Sequence, residues 1–183
     1  MFWIFVMSKY QPGFTLIELL VVIFIFSFSL LWVAPDWRNI QQQFLLYVEQ
    51  NRLQRYLALV QQRINHSLES WQLIANKSSH NWCLIAQPKS TTICNCLYLQ
   101  GCEKYQERLV YMPYSPGRVT FIAKDYYPKE LTTFKPERNT MKKKCFLLQA
   151  GQQRILFKYS GIGEVRINEN ISESACLQYE YED

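Results

Sequence analysis

The chain opens with an apolar stretch that carries one charge. Residues 14–34 form a predominantly apolar run of 21 residues in which Glu18 is the single charged side chain. As an α-helix with a rise of about 1.5 Å per residue, this run would extend about 31 Å, which matches the hydrocarbon core of a bilayer. The pattern therefore predicts a transmembrane helix. Because an ionisable group in such a helix costs about 2.5–3.5 kcal/mol on insertion scales, we expect Glu18 to have a function and a partner.

An amphipathic pattern follows the apolar run. From Asp36 to about Asn65 there is no glycine or proline, and apolar side chains recur at helical spacing: Trp37, Ile40, Phe44, Val48, Leu53, Leu57, Val60 and Ile64. Polar side chains supply much of the other face, namely Arg38, Gln42, Glu49, Arg52, Gln61 and Arg63. Pro35 predicts a bend or an interruption ahead of this helix, and Asp36 can cap its restart. The pattern predicts an amphipathic helix over residues 36–65 that lies against a sheet.

Beyond residue 65 the pattern changes to short extended segments separated by turn residues. The predicted strands cover residues 68–75, 82–86, 109–112, 118–123, 145–149, 153–159, 164–168 and 176–181. The first two form a predicted hairpin, and residues 124–144 are predicted to be irregular because they contain Pro128 and Pro136. A long helix followed by these strands predicts an α+β fold, with the helix packed on an antiparallel sheet.

Length and charge limit the domain organisation. The chain has 183 residues, and the part beyond the apolar run is long enough for one compact core. We therefore predict three parts: a leader over residues 1–13, a membrane helix over 14–34 and one globular domain over 35–183. The formal net charge of +5 is a mild basic bias, which permits anionic partners such as DNA without requiring them.

The six cysteines all lie beyond the apolar run. An even number of cysteines in a small exported domain indicates disulfides, and three disulfides allow fifteen pairings. The pairing that we favour joins neighbouring segments: Cys83–Cys94, Cys96–Cys102 and Cys145–Cys176. The alternative is a metal site built on Cys94 and Cys96 with Cys83 and Cys102. An oxidising compartment and the lack of Cys-x-x-Cys spacing argue against that site, so no metal is expected.

Catalytic chemistry finds little support in the sequence. The two histidines, His66 and His80, have no nucleophile or paired carboxylate nearby in the sequence. No phosphate loop, dinucleotide fingerprint or zinc motif occurs. We therefore expect a protein that is neither an enzyme nor dependent on a cofactor.

The residues at the start of the apolar run carry a specific motif. Gly13 followed by Phe-Thr-Leu-Ile-Glu resembles the type III signal of type IV pilins and pseudopilins. The resemblance implies that a membrane aspartyl protease, the prepilin peptidase, cuts after Gly13 and then N-methylates Phe14. A glycine before the cut keeps a β-carbon out of the protease cleft. Glu18 becomes the fifth mature residue, and its carboxylate is expected to pair with the Phe14 ammonium of a neighbouring subunit. An ordinary signal anchor that happens to contain a glutamate is the alternative.

The leader begins in an unusual way. Its first residues, Met-Phe-Trp-Ile-Phe-Val, are apolar, whereas leaders of this family are short and hydrophilic. Met7 begins a more typical leader with Lys9 as the positive charge on the cytoplasmic side. We therefore expect that Met7 is the true start.

A closer resemblance rests on scattered strings. Trp82-Cys83-Leu84-Ile85, Arg138-Asn139-Thr140 and the hairpin 154–167 with downstream Cys176 resemble the prepilin peptidase-dependent protein A group of minor pilins or pseudopilins, the FimT/GspH-like type. This implies a low-abundance subunit that initiates a filament or sits at its tip, in DNA uptake, twitching or type II secretion. The implied partners are the prepilin peptidase, other minor and major pilins, the inner-membrane assembly platform and, before assembly, the lipid bilayer. The implied location is the bacterial inner membrane, single-pass with a periplasmic C-terminal domain, and then a pilus or pseudopilus.

DNA binding is a hypothesis that the same resemblance raises. FimT-like pilins that bind DNA use Gly-Arg-x-Arg in the last hairpin loop, but here the string is Gly-Glu-Val-Arg, residues 163–166. The carboxylate would repel phosphate, so only Arg166 remains. The densest basic cluster is Lys142, Lys143 and Lys144, and a solvated charged loop is the interpretation that we favour for it. Two function classes are thus open: a structural subunit of the filament, which we favour, and a DNA receptor or adhesin at the tip, for which the apolar run is only a tether.

Overall fold

In a computed structural model, the structure describes residues 13–89, 92–102, 107–135, 140–141, 144–160, 165–169 and Cys176. The predictions for the leader before Gly13, for Lys142 and Lys143, and for the loop before Val165 concern residues outside this part of the chain. The chain divides into two compact units, Met1–Ile40 and Gln41–Asp183.

One long helix, α1 (Leu16–Asn65), contains the second predicted helical segment and all of the first except Phe14 and Thr15. It ends at Asn65, as the sequence pattern predicts. The interruption expected at Pro35 is wrong, because the helix continues through this residue. Proline lacks an N–H and so removes one helical hydrogen bond, but the bonds of the neighbouring turns are sufficient to keep the helical conformation.

The unit Met1–Ile40 presents apolar side chains to its surroundings. The large apolar side chains from Phe14 to Leu30 are all more than half exposed. A helix that is apolar all round needs an apolar environment outside its own chain. Among the residues that the structure describes, no helix is both long and apolar enough to cross a bilayer. The membrane span over residues 14–34 stays a prediction.

The unit Gln41–Asp183 contains two antiparallel sheets. The strands are β1 (Trp71–Lys77), β2 (Trp82–Pro88), β3 (Leu109–Tyr111), β4 (Thr120–Ile122), β5 (Thr132–Lys135), β6 (Thr140–Met141), β7 (Lys144–Ala150), β8 (Gln153–Tyr159) and β9 (Val165–Glu169). A five-stranded sheet has the order β3-β2-β1-β5-β6, and a four-stranded sheet has the order β4-β7-β8-β9. The predicted α+β class is thereby confirmed.

Several strand predictions are confirmed and others need correction. The hairpin β1–β2 and the meander β7–β8–β9 lie where the alternating patterns predict them. Residues 124–144 are not irregular, because β5 and β6 lie within them. Thr132 and Thr133 are buried β-branched residues whose pairing with β1 outweighs the nearby prolines. Cys176 is helical, so a strand beginning there is wrong; residues 177–181 lie outside the described part.

A single core joins the second part of α1 to both sheets. Aromatic rings link the sheets: Trp82 of β2 stacks on Phe121 of β4 with 5.1 Å between ring centroids, and Phe121 lies 4.9 Å from Phe146 of β7. Among the helix residues whose side chains are described, the buried ones are Leu46, Glu49, Leu53, Tyr56, Leu57, Val60 and Ile64. The predicted buried stripe is therefore right from Leu53 onward. It is wrong at its start, where the exposed fractions are 67% for Trp37, 59% for Ile40 and 64% for Phe44.

Glu49 is buried in this core, although the sequence pattern places it on the polar face of the helix. Its side chain accepts hydrogen bonds from the Tyr111 hydroxyl and, at 3.0 Å, from the Tyr114 backbone N–H. The Arg52 guanidinium lies 5.5 Å from the centre of the Tyr114 ring. Burial, followed by the hydrogen bond and charge of Glu49, raises the pKa of Tyr111 far above its ordinary value, so this phenol remains a donor. Glu49 thus joins α1 to β3 and to the segment after it.

Replacing Glu49 by alanine should lower the free energy of unfolding by about 2–3 kcal/mol, because the buried Tyr111 hydroxyl would lose its charged acceptor. The measurement is urea unfolding of the full chain in detergent, followed by tryptophan fluorescence. Gln54→Ala on the exposed side of the same helix is the control, and it should change stability by less than about 0.5 kcal/mol. A loss for Glu49→Ala as small as that of the control would contradict the role given to this carboxylate.

Two glycines with positive φ offer a matched pair for testing the turn between β7 and β8. Gly151 (φ 59°) lies in this turn, and a β-carbon there would overlap the side-chain amide of Gln42. Gly117 (φ 83°) lies elsewhere, and a β-carbon there would meet only the His80 carbonyl oxygen at an ordinary 3.7 Å. Each alanine substitution should cost about 1–2 kcal/mol from the left-handed backbone, and Gly151→Ala should cost more. Equal urea midpoints for the two variants would show that the Gln42 contact relaxes freely.

Candidate processing and assembly site

Gly13 is the residue at which the sequence predicts cleavage. A β-carbon built on Gly13 would meet no atom within 4 Å, and its φ lies outside the left-handed region that favours glycine. Among the described residues, none gives a structural reason for a glycine here. A protease that binds the chain in a narrow cleft, as the sequence predicts, would supply such a reason.

The N-terminus of α1 is capped by Thr15. The Thr15 side-chain oxygen accepts a hydrogen bond of 3.3 Å from the Glu18 backbone N–H, and the Thr15 carbonyl accepts bonds from Glu18 and Leu19. Threonine three residues before glutamate is the spacing of a capping box, in which the hydroxyl satisfies an N–H group of the first helical turn. The helix thus begins only two residues after Phe14, which places the predicted cleavage bond in the non-helical segment ahead of it.

Glu18 lies in the first turn of α1 with its side chain exposed. Among the residues that the structure describes, it forms no ion pair; the recorded pairs are Arg63–Glu107, Lys89–Glu130 and Lys144–Asp125. A carboxylate in the first helical turn is favoured by the helix dipole. It is also an anion surrounded by exposed apolar side chains, so that a cation from another molecule can reach it.

The cysteines pair differently from the favoured prediction. The structure joins Cys83 to Cys96, so the predicted pairs Cys83–Cys94 and Cys96–Cys102 are wrong. It joins Cys145 to Cys176, the pair that the sequence analysis favours. Cys94 and Cys102 are free and buried. The partner of Cys83 is set by how the segment that contains Cys96 lies over β2, and not by which cysteine is nearest along the chain.

The alternative metal site also disagrees with this geometry. The sulfur atoms of Cys83 and Cys96 are bonded to each other and are not available as thiolates. Within the described ranges, no three histidine, cysteine, aspartate or glutamate side chains are grouped to hold a metal ion.

The described candidates for DNA contact do not form one surface. Lys144 lies opposite Tyr159, which lies opposite Val165, while Arg166 lies opposite Lys158. Residues in register share a face and successive residues alternate, so Lys144 and Arg166 lie on opposite faces of the four-stranded sheet. In addition, Lys144 forms an ion pair of 3.4 Å with Asp125. DNA binding stays a hypothesis.

Sequence reasoning missed two residues. Thr15 could have been found, because Thr-x-x-Glu at the start of an apolar helix is the spacing of a capping box. Glu49 also had a signal, since stepping back from Leu53 by four residues and then three reaches Glu49 and Leu46, both of which are buried. The polar character of glutamate concealed that position.

Comparisons with known proteins address the N-terminus and the whole chain separately. A family model described as the prokaryotic N-terminal methylation motif matches residues 8–34, which include Gly13, Phe14 and Glu18. Over 168 residues the chain is 38% identical to an uncharacterized protein of Haemophilus influenzae (strain ATCC 51907 / DSM 11121 / KW20 / Rd), covering 91% of this chain and 99% of that protein. No solved structure matches the chain.

Proposed function

The chain belongs to the same family as the Haemophilus influenzae protein and carries the N-terminus of a type IV pilin-like prepilin, and from this we propose that it is a minor pilin. In this proposal the prepilin peptidase cleaves and N-methylates it, and it then acts in the initiation or at the tip of a type IV pilus or pseudopilus. The chain is the substrate of an enzyme and has no catalytic activity of its own.

One observation carries the proposal. Directly after the Gly13–Phe14 bond, a capped helix begins whose large apolar side chains are more than half exposed as far as Leu30, with Glu18 as the one carboxylate among them. A helix of this kind has its apolar partners in a membrane or in neighbouring subunits. The Gly13 position, which the fold leaves unconstrained, supports recognition by an external protease.

Processing would create a positively charged partner for the Glu18 carboxylate. Hydrolysis of the Gly13–Phe14 bond releases the α-amino group of Phe14. After one methyl group is added, this nitrogen is still protonated and positive. Paired with Glu18 of a neighbouring subunit, the two charges neutralise each other in an apolar surrounding, where either one alone would be costly. The same pairing draws the subunit out of the bilayer and into a filament.

The mass of the intact protein tests this proposal. The full chain is purified from isogenic cells with and without the prepilin peptidase and weighed by mass spectrometry. With the peptidase, we expect a product that begins at N-methyl-Phe14, and without it, a product that retains Gly13. A product that retains Gly13 in both strains would refute processing and favour an ordinary signal anchor.

The minor role has its own test. Quantitative mass spectrometry of filaments sheared from the cell surface should find this chain far below the abundance of the major subunit. Equal abundance would make it a major pilin instead.

A gel shift with the full chain in detergent at physiological salt tests the DNA hypothesis. If neutralising Lys142–Lys144 leaves the shift unchanged, those lysines do not contribute to DNA binding.

A further inference from the structure

Four of the six cysteines lie together on one side of the five-stranded sheet. Trp71, Leu73 and Ala75 of β1 belong to the core shared with α1, while Ile74, on the opposite face of β1, belongs to a separate buried cluster. That cluster is formed by Ile74, Cys83, Ile85, Cys94, Cys96 and Cys102. The segment 92–102 therefore covers the face of the sheet that points away from the helix.

Specific polar contacts fix this covering segment. Gln87, which is fully buried on β2, donates from Nε2 to the Thr92 carbonyl oxygen at 3.0 Å. Its Oε1 accepts from the Cys94 backbone N–H at 3.2 Å. The Asn95 Oδ1 atom accepts from the Leu97 N–H at 2.9 Å, and the Cys83–Cys96 disulfide joins the segment to β2. The backbone around Cys94 is thus held from both sides.

Cys94 and Cys102 are the two free cysteines of this cluster. Their exposed fractions are 2% and 3%. Burial, followed by the hydrogen bond and charge of Cys102, raises the pKa of the Cys94 thiol to about 11, while the positive charge of Arg108 opposes this rise. Arg108 also donates a hydrogen bond to the Cys102 carbonyl oxygen. Two free thiols in one buried cluster can be joined as a disulfide, and because burial disfavours the Cys94 thiolate, the reaction has to be completed before the segment is fully buried.

We propose that Cys94 and Cys102 form a third disulfide in the exported protein and so close residues 94–102 into a covalent loop over the outer face of the sheet. The oxidant is a disulfide, carried by a thiol–disulfide oxidoreductase or by oxidised glutathione. One thiolate attacks this disulfide and releases one thiol, and the second thiolate then displaces the other thiol from the mixed disulfide. The two cysteines lose two protons and two electrons, and the oxidant gains them. Export to an oxidising compartment is part of the proposed function, whereas the pairing is a property of the fold.

The pairing is tested on the full chain purified in detergent from the cell envelope. The protein is denatured without reductant and treated with N-ethylmaleimide, and we expect no alkylated cysteine. Trypsin cuts after Lys77, Lys89 and Lys104, so the Cys83–Cys96 disulfide should join peptide 78–89 to peptide 90–104. The second disulfide should make this joined pair lighter by two hydrogen atoms than a pair that contains the first disulfide alone. Backbone cleavage beside Asn95 separates the joined pair into two pieces only if Cys83 is linked to Cys94 and Cys96 to Cys102. Cleavage between Leu97 and Gly101 separates it only if Cys102 is linked to Cys83, so we expect neither separation. Linkage of Cys102 to Cys96, or of Cys83 to Cys94, would overturn the proposal.

A second arm separates the pairing from export. The same protein is incubated with oxidised glutathione before alkylation, and Cys145–Cys176 serves as an internal marker of oxidation. If the envelope sample is alkylated at all cysteines but glutathione closes Cys94–Cys102, export fails and the pairing stands. Alkylation of Cys94 and Cys102 after glutathione treatment, with Cys145–Cys176 closed, would refute the pairing itself.

Matched variants complete the test. Cys94→Ser should leave one alkylated cysteine, Cys102, with Cys83–Cys96 and Cys145–Cys176 unchanged. The double variant Cys94→Ser/Cys102→Ser should leave none. A single variant that shows no alkylated cysteine would mean that Cys102 has another partner and would count against the proposal.

Discussion

Replacing Gly13 by valine should leave the protein uncut in cells that contain the prepilin peptidase. The valine side chain would crowd the protease cleft, and with no free Phe14 nitrogen there is no site for methylation. The stability of the folded chain should stay the same, because a β-carbon at Gly13 meets no atom within 4 Å. Intact mass measures the first effect, and the urea midpoint measures the second.

Thr15→Ser is the matched control for Gly13→Val. It lies two residues further along and keeps the hydroxyl that caps α1, so cleavage and methylation should proceed. Normal cleavage of Gly13→Val would mean that the peptidase tolerates a β-carbon at this position. Loss of stability together with loss of cleavage would mean that the fold requires this glycine after all.

Reversing the charge at Glu18 should separate processing from assembly. Glu18→Lys does not change the residues on either side of the cleavage bond, Gly13 and Phe14, so we expect the mass of the cleaved and methylated protein. Incorporation into filaments should fall by about two to four orders of magnitude, since breaking a buried ion pair costs about 3–5 kcal/mol and here two like charges would meet. The measurement is the amount of this chain in sheared filaments relative to the amount in the membrane.

Ser27→Ala provides the control within the same apolar segment. The Ser27 hydroxyl donates to the Ile23 carbonyl oxygen of its own helix, so its removal should change neither mass nor incorporation. Normal incorporation of Glu18→Lys would refute the proposed pairing and favour the tether. In that case a receptor or adhesin function would be unaffected by the substitution.

Local patterns predicted much of the fold. Alternation of apolar and polar residues located the strands of the β1–β2 and β7–β8 hairpins, whose pairing partners are adjacent in sequence. It did not show that β3 and β4, which a turn connects, belong to different sheets. In the structure β3 pairs with β2, and β4 pairs with β7. The strand β5 was missed because its partner, β1, lies far away in sequence and supplies the hydrogen bonds that prolines nearby seemed to forbid.

By itself, the sequence determined the N-terminal motif, the helical segments on either side of Pro35 with their end at Asn65, and the α+β class. These depend on short stretches of chain: a peptidase binds an extended segment, and a helix is set by residues three and four apart. Only the tertiary structure decided that Cys83 pairs with Cys96, that Glu49 is buried beside Tyr111, and that Lys144 and Arg166 lie on opposite faces. Each of those outcomes depends on which distant segments cover a given face, and the distances between such segments exist only once the chain has folded.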